Sequence, residues 1–148
     1  MDNPGITLET EPYFKNGLWG WDGSQWRKNN LIWSYHSRYV ENLGDLNPAG
    51  GTYQKTSTAV PDGYVYVVNG IYIANATAAR DTVVIYLALN GVSCFVLYNV
   101  APVVGVPDLV LGSFVLSAGD YAVVTQYSIE AGDDMYAAIW GYKMQIAA

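Results

Sequence analysis

The chain has 148 residues and is 51% hydrophobic, enough for one domain whose single core buries roughly two-thirds of the surface an unfolded chain exposes. A formal net charge of −6, with seven Lys and Arg scattered along the sequence, excludes an electrostatic grip on nucleic acid, because neutralising phosphates takes clustered cations. No stretch approaches the ~20 apolar residues of a membrane-crossing helix, so no membrane partner is expected.

The first residues, MDNPGITLETEP, carry neither a basic segment nor an apolar run of the kind that directs secretion, and synthesis in a cytoplasm is expected. Residues 1–30 read as an arm followed by a hairpin, with Tyr13 and Phe14 in the arm and Trp19, Trp21, Trp26 and Arg27 around an Asp22-Gly23-Ser24 turn. A type I′ turn at Asp22-Gly23 sets Trp19 opposite Trp26, whereas a II′ turn at Gly23-Ser24 sets Trp21 there. Either way the segment offers a cross-strand aromatic pair. It could grip another subunit, stack on a sugar or fold back on its own core. The intersubunit clasp is the reading adopted, because an arm ahead of a core has little surface of its own to bury.

Residues 31–148 form the expected core domain. Helix signals are nearly absent, and alternating apolar segments recur between Gly, Pro, Asn and Asp clusters. Strands are predicted over 31–40 and 52–60, divided by GDLNPAGG, and over 64–75, where Gly70 marks a bulge or kink. TVVIYLAL and VSCFVLYNV flank Asn90-Gly91, the strongest short hairpin signal, since both central positions need positive φ. APVVGVPD is a loop. LVLGSFVL and YAVVTQY flank SAGD, and MYAAIWGYKMQI is the last strand. Eight short antiparallel strands predict an all-β, eight-stranded jelly-roll sandwich with an N-terminal arm and β-hairpin. An immunoglobulin-like sandwich lacks the paired cysteines that would support it. The expected core includes Val65, Val67, Ile71, Val84, Phe95, Leu97, Leu111, Phe114 and Val123, with Cys94 as a small buried hydrophobe.

Reactive groups are scarce. His36 is the only histidine and Cys94 the only cysteine, so the usual zinc ligands cannot be assembled. No serine stands in a glycine-flanked elbow after a strand, and neither a catalytic site nor a cofactor is expected. A small sandwich enzyme acting through His36 is kept as a formal alternative. Glu130, Asp133 and Asp134 surround a glycine and are weak calcium candidates; a solvated turn is the plainer reading, as is backbone capping for Asp120. Asn75-Ala76-Thr77 fits the glycosylation acceptor pattern but is read as chance.

Charged residues are only 14% of the chain, and from Thr82 to Gly119 Asp108 is the sole one. Free monomers guard their strand edges with charge, so a chain that does not is expected to hide surface in an assembly.

VPDGYVYVVNGIYIANATA, LVLGSFVLSAGDYAVV and AGDDMYAAIWGYKMQI resemble small jelly-roll virion proteins of tailed bacteriophages, capsid decoration (cement) proteins in particular. The shared landmarks are the VP-x-G entry at Val60–Gly63, L-x-x-GD at Leu116–Asp120, and the closing GYKM at Gly141–Met144. The resemblance covers about residues 58–146. It implies a non-enzymatic protein on the outside of the virion, binding the major capsid protein and itself, as a homotrimer, with the arm clamping a neighbour. The alternative is a tail, fibre or receptor-binding module that recognises host glycans through exposed aromatics.

Overall fold

The computed structural model describes residues 19–21, 26–28 and 33–146, with side chains from His36 to Gln145. The chain divides into two units, Met1–Ser34 with Ile146–Ala148 and Tyr35–Gln145.

In the first unit β1 (Trp19–Trp21) pairs antiparallel with β2 (Trp26–Lys28). The register sets Trp21 opposite Trp26 and Trp19 opposite Lys28, the pairing expected of the Gly23-Ser24 turn. Tyr13 and Phe14 lie outside the described residues, as do the side chains of Trp19, Trp21, Trp26 and Arg27.

The sandwich is made by β3 (Trp33–Asn42), β4 (Gly51–Thr56), β5 (Tyr64–Asn75), β6 (Val83–Leu89), β7 (Val92–Asn99), β8 (Asp108–Leu116), β9 (Tyr121–Ile129) and β10 (Met135–Ile146). One sheet has the order β3-β10-β5-β8 and the other β4-β9-β6-β7. The first strand of the eight thus neighbours the last, the second the seventh, the third the sixth and the fourth the fifth. That is a long folded hairpin rolled into two sheets, the jelly roll.

Its tip is the β6-β7 turn, where Asn90 and Gly91 take φ of 49° and 78° and Leu89 pairs with Val92, the backbone an Asn-Gly hairpin needs. At one end of the sandwich the loops after β3, β5, β7 and β9 are joined by backbone bonds: Gly132 N–H donates to Pro48 O, Gly105 N–H to Asn75 O and Ala76 N–H to Asp134 O. At the other end Val60 and the β8-β9 turn exchange bonds, Val60 N–H to Asp120 O and Gly119 N–H to Val60 O.

The core lies between the sheets and contains Tyr66, Val68, Ile71 and Ile73 of β5, Ile85 and Leu87 of β6, Val124 of β9, and Met135, Ala137 and Ile139 of β10. Val65, Val67, Ile71, Val84 and Val123 are buried as expected, but only Ile71 belongs to that inter-sheet cluster. Beside Gly70 the β5 ladder slips by a residue against both β8 and β10. Because side chains alternate with period two, such a slip exchanges the faces: Tyr66 and Val68 share a face with Ile71, and Val65 and Val67 do not.

A second slip, between Ile85 and Tyr86, leaves Val96 extra on β7. It corrects the expectation for Phe95, which is 69% exposed, while Leu97 and Phe114 pack partly buried against the core. Leu111, also expected inside, is 66% exposed, since it is Val110 and Leu116 of β8 that face the core. Cys94 is half-buried rather than buried, because β7 is an edge strand with a neighbour on one side only.

Candidate functional site

The two flanks of the sandwich differ in chemistry. One is formed by the edge strands β3 and β4, which carry Arg38, Glu41 and Lys55. The Glu41 carboxylate accepts from Tyr39 Oη at 2.8 Å, from the Thr58 backbone at 2.9 Å and from Thr58 Oγ1 at 3.1 Å. Burial and the Glu41 carboxylate raise the Tyr39 phenol well above its ordinary pKa.

Beside it a cleft of about 300 Å³ is lined by Arg38, Tyr39, Glu41, Thr58, Tyr66 and Lys143. The Lys143 ammonium stands 5.6 Å from the Tyr39 ring and 5.0 Å from the Tyr66 ring, a cation–π arrangement. It covers the aromatic faces on which a sugar would stack. Deeper in, the Tyr53 hydroxyl donates to Leu43 O, and burial together with Asp45 pushes its pKa up to about 12.

The other flank is formed by the edge strands β7 and β8 and the loop 100–107 that joins them. Val92, Phe95 and Tyr98 of β7, Val100, Val103, Val104 and Val106 of the loop, and Leu109, Leu111 and Val115 of β8 are all exposed. Phe95 and Tyr98 stand opposite Tyr86 and Val84, and the Phe95 ring lies 5.9 Å from that of Tyr86. Asp108 is the sole formal charge, and its carboxylate accepts from Asn99 Nδ2 at 2.6 Å. Exposed apolar side chains in such number mark interaction surfaces, and edge strands are ordinarily blunted by charge or proline. This flank is the candidate interaction surface. The missing charge was legible in the sequence; which apolar side chains face out depended on the two slips.

The acidic loop before β10 works as a clasp. Asp133 is 2% exposed and accepts from Arg80 Nε, Arg80 Nη2 and Asn75 Nδ2, each at 2.9 Å, and from Glu130 N at 3.1 Å. Arg80 Nη1 also reaches Glu130 Oε1 at 2.9 Å. The guanidinium holds the Asp133 carboxyl well below the usual carboxylate range. Both Asp133 oxygens are therefore engaged by donors, and the Asp134 backbone N–H donates to Thr77 Oγ1 at 2.9 Å. Among the described residues no group of three His, Cys, Asp or Glu could hold a metal ion. Sequence reasoning missed Arg80, which sits 53 positions from its partner. Asn75, the acceptor of the glycosylation pattern, is buried in this network at 4% exposure.

His36 packs edge-on against Tyr64 at 5.3 Å between ring centroids. No helix among the described residues is long and apolar enough to cross a membrane.

No family model and no curated protein matches the chain. Among solved structures, the VP2 subviral particle of infectious bursal disease virus aligns over 86% of this chain and 36% of that one, at 11% identity and a TM-score of 0.35. The Gt strain of the same virus aligns over 84% and 36%, at 12% identity and a TM-score of 0.31. A mannan-binding module from Man5C aligns over 74% and 99%, at 17% identity and a TM-score of 0.25. The chain spans about a third of the length of the virus proteins it matches.

Proposed function

We propose that this protein is a non-enzymatic virion structural protein, a decoration (cement) protein that binds the major capsid protein on the outside of an assembled phage head and bridges its subunits. The observation that carries this reading is the exposed apolar β7-β8 side, with Asp108 its one charge, on an otherwise well-packed jelly roll. Exposed apolar surface of this kind marks a site of interaction with another molecule. Jelly rolls serve capsids and lectins alike, and the landmarks at Val60–Gly63, Leu116–Asp120 and Gly141–Met144 favour the virion. Binding to the assembled shell and not to free subunits stabilises the shell by mass action.

Residues 1–30, with Tyr13, Phe14, Trp19, Trp21, Trp26 and Arg27, are the proposed attachment arm. A chain starting at Leu31 is expected to keep the cooperative unfolding of the sandwich and to lose attachment. Circular dichroism melts and sedimentation with purified particles read the two effects separately. Loss of cooperative folding would make the arm part of the core.

The parent test is mass spectrometry of gradient-purified particles from cells that make this chain. Stoichiometric recovery with full heads supports the proposal, and recovery only in the soluble fraction refutes it. A glycan-binding head is the second reading, favoured by Phe95 and Tyr98 standing exposed on one strand. Saturable polysaccharide binding that disappears in Phe95→Ala and Tyr98→Ala would select it.

A further inference from the structure

We infer that the β7 edge is a self-association surface, and that two copies of this chain pair β7 antiparallel to β7 about a two-fold axis. The inference deepens the assembly reading above, and rests on it only in taking the flank to be covered.

β7 is the last strand of its sheet, so one row of its backbone N–H and C=O groups faces outward with no strand partner among the described residues. Its sequence, VSCFVLYN, holds neither charge nor proline, the two devices that ordinarily keep an edge from pairing. On the opposite flank β3 and β4 carry Arg38, Glu41 and Lys55. One side of the sandwich is thus guarded and the other is open.

A second copy is the occupant that fits. A strand paired antiparallel with its own copy satisfies both rows of hydrogen-bonding groups and leaves neither edge free, which closes the assembly at two. The axis sets Phe95 and Tyr98 across from the same residues of the copy, giving aromatic cross-strand neighbours.

Charge does not oppose the contact. The net −6 of each chain lies elsewhere, because Asp108 is the one charge between Thr82 and Gly119 and it is bonded to Asn99.

Light scattering of the full chain tests the inference. The expected mass is twice the 16.2 kDa of one chain, falling to a single chain in Phe95→Lys and in Tyr98→Lys. Both positions are exposed, so the fold tolerates them, and far-ultraviolet circular dichroism confirms that each variant is folded. Val40→Lys, equally exposed on the guarded flank, is expected to leave the mass doubled. Amide exchange of the full chain is expected to slow along β7 with rising protein concentration. A monomer, a trimer, or a dimer that survives Phe95→Lys overturns the inference. A dimer that never enters particles refutes the virion reading alone, and a particle protein that is monomeric in solution refutes the pairing alone.

Discussion

Asp120 is 7% exposed, and its two oxygens reach different turns: Oδ1 accepts from Asn90 N–H and Oδ2 from Ser117 N–H, both at 2.8 Å. The sequence pointed to backbone capping within the β8-β9 turn, and the Ser117 bond is that cap. The bond to Asn90, 30 residues away, also pins the tip of the β6-β7 hairpin. Asp120→Ala leaves both donors without this partner and is expected to cost about 1–3 kcal/mol, read as a lower urea midpoint. Gly70 shows a steric need instead. A Cβ there would lie 2.0 Å from Cζ2 of Trp140, whose indole covers the glycine across the β5-β10 pair. Gly70→Ala is expected to destabilise by about 1–3 kcal/mol through overpacking, and pairing it with Trp140→Leu should recover part of the loss in the same denaturation assay.

At the scale of elements, the Asp133 network joins the loops after β5 and β9. Its pH dependence follows from the lowered carboxyl pKa. The same carboxyl titrates at ~3.9 in an unfolded chain, so folding favours the ionised form. The stabilisation is complete above about pH 4 and is lost as the pH falls through the lower folded value. Urea midpoints measured from pH 7 to pH 2 are expected to fall over that acid window, and Asp133→Asn should lower the midpoint at pH 7 and remove the Asp133 contribution to the slope. The strands themselves were legible because alternation and turn residues are local signals, and all eight core strands form where the alternation predicts them. Phe95 and Leu111 were misplaced because a one-residue slip leaves the alternation on either side intact while exchanging the faces.

For the whole molecule, burial between the sheets sets the stability, and the exposed β7-β8 side is where association is proposed. Ile85, fully buried among both sheets' side chains, is expected to lose about 2–5 kcal/mol on truncation to Ala. Val40, at 64% exposure, should change by no more than about 0.5 kcal/mol. Calorimetric melts of the two variants compare them directly. Exposed β7 positions such as Phe95 are expected to resemble Val40 in the melt of one chain and to differ from it only in the association proposed above.

The amino-acid sequence by itself determined the all-β class, the eight strands, the Asn90-Gly91 turn and the run from Thr82 to Gly119 with a single charge. Each is encoded in residues a few positions apart, through side-chain alternation, positive-φ turn chemistry and composition. Only the tertiary structure decided which strands are edges, which face each side chain takes after a slip, and that Arg80 closes on Asp133. Those depend on partners brought together from distant parts of the chain, and no local pattern carries that information.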